Sequence, residues 1–281
     1  MINQPANQPG YMALLRHHPV AAFFALTFAV SWLMVVPQFA FGRRFGWLAG
    51  LGGFCPALMA LVMTGILEGR PGLEKLLAQL LRWRVGIQWY LVALLGSVPL
   101  TLLAILLSDL IGGSAKLLDS GRVLAMLPNH FPILAVIFLY QVAIIWGEEL
   151  GWRGFAQPRL QADHSALVAS VMIGVLWGLW HLPMFWIPDT LQHGISIPFY
   201  VAATVGYSTL FAWIYNSTGS VLLATLAHSA DNTIVAYMNL FFPSITREPL
   251  PSLLALGILV ILVVAFAGHK RLVRVRLDAI P

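Results

Sequence analysis

The stretch "IIWGEELGWRGF", residues 144–155, places Glu148, Glu149 and Arg153 at the end of a long apolar run. Two further polar clusters interrupt apolar runs downstream: His181 in "WGLWHLP", and His228, Asp231 and Asn232 in "LAHSADN". These residue types offer a short menu of chemistry. A carboxylate and an imidazole around one water form a general-base arrangement. A second imidazole with an amide side chain can donate hydrogen bonds to a developing oxyanion. Together they describe hydrolysis of a carbonyl compound such as a peptide. Glu148, His181 and His228 are equally competent Zn²⁺ ligands, and spacing alone does not separate the two readings. The sequence holds no HExxH zinc signature and no Gly-x-Ser-x-Gly elbow. Cys55, the single cysteine, lies far from these motifs, reads as a packing residue and excludes an intramolecular disulfide.

Helical spacing divides the cluster. Glu149 and Arg153 are four residues apart with the acid first, the favourable order for a pair on one helix face. Glu148 is rotated by about 100° and points elsewhere. His228 and Asn232 are also four apart and share a face. An ionisable group at mid-bilayer costs about 2.5–3.5 kcal/mol on insertion scales, so each needs a partner, a wet cavity or a function. The bland alternatives are a Glu–Arg lock between helices, interhelical glue at His228 and Asn232, and a hydrogen-bonded packing histidine at His181. Three polar sites on three helices exceed what packing alone requires.

The elements that must position these groups are membrane helices. The 281 residues are 59% hydrophobic and only 10% charged, unlike a soluble domain, and the apolar residues come in blocks long enough to cross a bilayer. The fold expected is an all-α polytopic membrane protein, a single integral membrane domain over 1–281. Its eight spans lie near 19–41, 46–67, 88–112, 132–160, 165–187, 197–216, 219–242 and 250–268, with the active site inside the bundle. An open sheet would leave backbone groups unpaired in lipid, and no barrel-like alternation is present. No cleavable signal peptide is evident. The formal charge of +5 comes from Lys and Arg flanking apolar runs, which points to membrane topology and not to nucleic acid.

Eleven Lys and Arg fall on the side of the N-terminus: Arg16, Arg70, Lys75, Arg82, Arg84, Arg153, Arg159, Lys270, Arg271, Arg274 and Arg276. Five fall on the other: Arg43, Arg44, Lys116, Arg122 and Arg247. The positive-inside rule then puts both termini in the cytoplasm, and a bacterial inner membrane is the expected location. The basic tail "HKRLVRVRL" reads as a topology anchor. The segment 70–86 reads as an amphipathic surface helix or a loop helix. The sequon "NST" at 216–218 falls on the cytoplasmic side and is discounted. The cavity is expected to be reached from the cytoplasmic side or laterally from lipid.

At these residues the chain resembles the CAAX protease and bacteriocin-processing enzyme family, the Abi or CPBP intramembrane proteases. "EELGWR" is similar to the family's EExxxR motif. Trp177 and His181 match its second motif, an aromatic residue, commonly Phe, followed by a His one helical turn on. His228 and Asn232 match the third. The resemblance covers about 132–242, a CAAX protease-like catalytic core. It implies an intramembrane endopeptidase acting on membrane-associated, lipidated (CAAX-like) or bacteriocin-type peptides. Carried onto this chain, it makes Glu148 and His181 the pair that activates water, His228 and Asn232 the oxyanion site, and Glu149 and Arg153 its support. A metal-free glutamate mechanism is favoured, with Zn²⁺ on Glu148, His181 and His228 the alternative. The competing reading is a non-catalytic transporter or a peptide-binding or immunity scaffold.

Overall fold

The computed structural model describes residues 10–113, 115, 116, 119–188, 190–241 and 249–273; Arg247, Arg274 and Arg276 of the charge count lie outside them. The regular structure of the described residues is helical throughout: α1 (Gly10–His17), α2 (Pro19–Phe41), α3 (Gly46–Gly52), α4 (Cys55–Ala78), α5 (Ile87–Leu95), α6 (Ser97–Leu110), α7 (Asp119–Glu149), α8 (Gln157–Asp163), α9 (Ala166–Trp180), α10 (Ile197–Thr218), α11 (Val221–Phe241) and α12 (Pro249–Ala267). A π-helical segment, Leu150–Ala156, joins α7 to α8 without a break.

Seven helical stretches among the described residues are long and apolar enough to cross a membrane: Pro19–Phe41, Arg43–Ala78, Ile87–Leu110, Pro128–Asp163, Ala166–Trp186, Ile197–Thr218 and Pro249–Ala267. The eighth expected span is α11, a helix of 21 residues. It falls short on composition because His228, Asp231 and Asn232 sit in its middle. It packs against α7, α5 and α10, so its polar groups face protein. Large apolar side chains such as Leu33, Leu139 and Ile261 remain exposed, as lipid-facing surface should.

The helix boundaries have local causes. Gly69 adopts φ +66° and breaks α4, so only Arg70–Ala78 of the 70–86 segment is helical. Its Leu76 is buried in the main core while Arg70, Glu74 and Lys75 are exposed, one apolar face turned inward and the charged face outward. Pro183, in the turn Leu182–Trp186, stops α9 from continuing. Gly219 at φ +63° caps α10, its N–H bonding to Tyr215 O.

Small residues let the central helices touch. A Cβ on Gly151 would lie 2.5 Å from Pro56 Cβ, and one on Gly174 would lie 2.5 Å from Val205 Cα. This is close packing of the kind that holds helices together in lipid. Hydroxyls add polar contacts between α9 and α10: Thr204 Oγ1 donates to Gly174 O (2.9 Å) and Ser208 Oγ to Ser170 O (2.7 Å). The core they enclose is aromatic, with Trp152 stacked on Phe24 (5.3 Å between centroids) and Phe23 tilted on Phe155.

The bundle has two distinct ends. At the end holding α1, Ala166 N–H bonds Lys270 O, Ser220 Oγ bonds Arg82 O, and Asn216 Nδ2 bonds Arg271 O. The α9–α10 connection and the start of α12 lie at the other end.

Candidate functional site

The π-helical segment begins immediately after Glu149. Such segments are rare and recur at functional sites. Its residues Leu150–Ala156 are all buried, so Arg153 is carried into the protein and not toward lipid. The expected pair forms: Arg153 Nε lies 3.0 Å from Glu149 Oε2, with both side chains fully buried. The guanidinium is satisfied further by Gln157 Oε1 (2.8 Å), Ser208 O (3.2 Å) and Ser208 Oγ (3.1 Å). Gln157 Nε2 passes the network on to Asn216 Oδ1 (2.8 Å). A fully buried ion pair holds only when its remaining donors and acceptors are met in this way.

The other carboxylate oxygen of Glu149 leaves its own helix. Glu149 Oε1 is 2.9 Å from Nδ1 of His228 on α11. A carboxylate only accepts, so Nδ1 carries the hydrogen and Nε2 is left to face the cavity. Both oxygens of Glu149 are therefore committed, one to Arg153 and one to His228.

Glu148 points elsewhere. Its Oε2 accepts from the indole Nε1 of Trp177 at 2.8 Å and, at 3.5 Å, from that of Trp152. Oε1 makes no hydrogen bond to the described residues. On α9, His181 Nδ1 donates to Trp177 O (2.9 Å), using a carbonyl that the helix end leaves open. The Trp177 ring also packs edge-on against His228, 5.0 Å between centroids, and Phe211 stacks on the same imidazole. Asn232, one turn beyond His228, donates a long 3.4 Å bond to Gln141 Oε1.

These side chains surround one cavity of about 870 Å³, lined by Glu148, Trp177, His181, His228, Asp231 and Asn232 and walled by Phe199, Tyr200 and Phe211. That is the size of a small-ligand or peptide-segment site. Glu149 and Arg153 do not line it; they lie behind His228. The six candidate residues thus gather in one place, four at the cavity wall and two in the layer that holds it.

The cavity reaches the end of the bundle formed by Thr190–Ser196, Asn239 and Pro249. On the side of the termini it is closed by Trp152, Arg153 and Gln157, all fully buried. Of the two approaches expected, from the cytoplasmic side or laterally from lipid, the lateral one needs no passage through these buried residues.

For a metal, the donor geometry decides. Among the described residues no group of three His, Cys, Asp or Glu side chains is placed to hold an ion. Glu148, His181 and His228 line the same cavity, and their protein hydrogen bonds engage Oε2 and the two Nδ1 atoms.

Sequence reasoning missed Gln157, Ser208, Trp152 and the indole donor of Trp177. Gln157 was within reach, because 149, 153 and 157 form one row of i, i+4 steps. Ser208 carries no local signal. Cys55 is buried, its thiol 3.7 Å from Met34 Sδ, in keeping with a packing role.

Residues 128–234, which hold all six candidate residues, match the family model of Type II CAAX prenyl endopeptidase Rce1-like proteins. Over 94 residues the chain is 37% identical to the CAAX prenyl protease 2 of Methanococcus maripaludis, covering 34% of this chain and 33% of that relative. The match thus spans about a third of the length of the curated relative.

Proposed function

We propose that this chain, whose residues 128–234 match the Rce1-like family model, is an intramembrane endopeptidase of the CAAX protease and bacteriocin-processing enzyme type that hydrolyses peptide bonds with water activated by Glu148 and His181. The observation that carries the reading is the separation of the two adjacent glutamates. Glu149 has both oxygens bonded, while Glu148 keeps Oε1 at a cavity that two imidazoles and an amide also line.

In this mechanism a water sits between Glu148 Oε1 and His181 Nε2. Glu148 takes a proton from the water as its oxygen bonds the scissile carbonyl carbon. The carbonyl oxygen becomes an oxyanion and receives hydrogen bonds from Asn232 Nδ2 and from His228 Nε2 in its doubly protonated form, which Glu149 supports through Nδ1. Collapse breaks the C–N bond, and Glu148 returns the proton to the leaving amine. Trp177 and Trp152 position the Glu148 carboxylate. No step draws on a metal or cofactor. Substrates are peptides at the membrane, of lipidated or bacteriocin type, and the chain acts in a bacterial inner membrane with both termini cytoplasmic.

The test is cleavage of a membrane-associated peptide by purified protein in liposomes, comparing wild type with Glu148→Ala. Loss of cleavage in the variant is expected. Equal cleavage by both removes Glu148 from the mechanism. Binding without cleavage, undiminished by His181→Ala and His228→Ala, turns the site into a scaffold.

A further inference from the structure

We propose that a second hollow, at the end of the bundle holding α1, binds the phosphate of an anionic phospholipid headgroup. It shares no lining residue with the cavity described above, and the proposal is independent of what that cavity does.

The hollow has a volume of about 510 Å³ and lies between α4, the α4–α5 connection, α8 and the turn from α10 to α11. Three cations line it: Lys75 on α4, Arg82 on the connection and Arg159 on α8. The one carboxylate in the lining, Glu68, is engaged in an ion pair with Arg159. Lys75 and Arg82 have no ion-pair partner among the described residues. This basic end of the bundle therefore carries positive charge that no anion of the described protein meets.

Two of the cations are held in place. The connection is pinned to the opposite wall, with Val221 N–H bonding Gln79 O (3.1 Å) and Ser220 Oγ donating to Arg82 O (2.7 Å). This lays the Arg82 guanidinium on Gly219, where a Cβ would run into Nη1. Arg159 Nη1 donates to Phe155 O (2.9 Å), and its guanidinium sits 3.8 Å from the centroid of the Phe155 ring. Groups ordered before a ligand arrives lower the cost of binding it.

The surroundings identify the occupant. Arg and Lys bind phosphate oxygens through charge-assisted hydrogen bonds, and basic pockets between membrane helices suit anionic headgroups. Leu77, Leu81 and Trp83 are exposed beside the cations, so acyl chains find apolar contact next to the charge, with an indole of the kind that marks the membrane interface. A free anion has no use for that apolar flank. A zwitterionic headgroup finds its ammonium without a free carboxylate, since Glu68 is committed to Arg159.

The full chain, purified in detergent, tests the proposal through its midpoint of thermal unfolding during titration with lipid. A ligand of the folded state raises the midpoint as its site fills. Dioleoylphosphatidylglycerol is expected to do so saturably, while dioleoylphosphatidylcholine and inorganic phosphate have little effect. Lys75→Gln combined with Arg82→Gln is expected to raise the half-saturating lipid concentration roughly 25-fold, about fivefold for each cation lost. Arg70→Gln combined with Arg84→Gln removes the same charge from exposed positions outside the hollow and is expected to leave that concentration near the wild-type value. Should the first pair fail to fold, Lys75→Gln alone is expected to show its roughly fivefold share. Equal weakening by the two pairs, or a wild-type midpoint indifferent to phosphatidylglycerol, overturns the proposal. An equal response to inorganic phosphate overturns it too, because the occupant is then a free anion. A role for Arg82 confined to offsetting the negative end of α10 would lower the midpoint equally with and without lipid, and that result also overturns it.

Discussion

Trp177 Nε1 donates a 2.8 Å hydrogen bond to Glu148 Oε2, joining α9 to the end of α7 across 29 positions of sequence. The resembling family commonly has Phe at this position, so the indole is where this chain departs from the pattern. The departure adds a donor aimed at the carboxylate proposed to activate water. A hydrogen bond to a charged group contributes about 1.5–3 kcal/mol, or roughly tenfold to a hundredfold in rate. Trp177→Phe keeps a ring against His228 and Phe211 and loses only the donor. The expected outcome is a fall in kcat of that size with KM little changed, read from steady-state cleavage. An unaltered kcat shows that the bond does not position Glu148.

Glu149, fully buried like Arg153, ties it to the buried cavity residue His228. Removing one member of a buried pair leaves an uncompensated charge and costs about 3–5 kcal/mol. Glu149→Gln and Arg153→Met are each expected to lower the midpoint of thermal unfolding in detergent sharply. Combined, they are expected to cost clearly less than the sum, because the residues share one interaction. Activity in the double variant stays low, since His228 keeps at most a neutral amide acceptor in place of a carboxylate. Additive losses of stability would show that the two side chains act separately.

How much of this was legible in the sequence divides along one line. Features set within one helix could be read: the helices themselves, the Glu149–Arg153 pair, the rotation of Glu148 away from it, and the shared face of His228 and Asn232. Features set between helices could not. The bond from Glu149 to His228 depends on which face of α11 meets α7, and no local periodicity encodes that. The closure of the cavity at the basic end was equally hidden, because it needs Ser208 and Asn216 from α10 to complete the Arg153 and Gln157 network. The π-helical segment left no mark in composition, although Gly151 and Gly154 permit the close contacts around it.

Gly174 lies one turn before Trp177 and faces α10. A methyl group there would meet Val205 Cα at 2.5 Å and Thr204 O at 2.9 Å, and backbone atoms cannot swing aside. Overpacking of this kind costs about 1–3 kcal/mol. Gly174→Ala is expected to lower thermal stability by that amount and to reduce cleavage by shifting Trp177 from Glu148. Gly257→Ala on α12 is the control, since nothing lies within 4 Å of its Cβ position. It is expected to leave activity unchanged and to gain about 0.5–1 kcal/mol from helix propensity.

The placement of donors bears on metal dependence. No triad of His, Cys, Asp or Glu converges among the described residues. Turnover by purified protein is expected to survive prolonged dialysis against a zinc chelator. Elemental analysis of the active protein is expected to find zinc well below one equivalent. Stoichiometric zinc whose removal abolishes cleavage, and whose return restores it, would overturn the metal-free mechanism.

Asn232 separates binding from chemistry. It lines the cavity one turn beyond His228, and its 3.4 Å contact with Gln141 is long enough to yield to a better acceptor. An oxyanion forming at the scissile carbonyl is such an acceptor, and it exists only in the transition state. Loss of one oxyanion donor costs about 10²–10³ in kcat. Asn232→Ala is therefore expected to lower kcat by that factor while KM stays near the wild-type value, since the ground-state carbonyl draws little on the amide. Asn232→Asp, which replaces a donor with an acceptor beside the developing charge, is expected to be the more damaging of the two. If Asn232→Ala instead raises KM with kcat preserved, the amide binds substrate uniformly, and the oxyanion role falls to His228 alone.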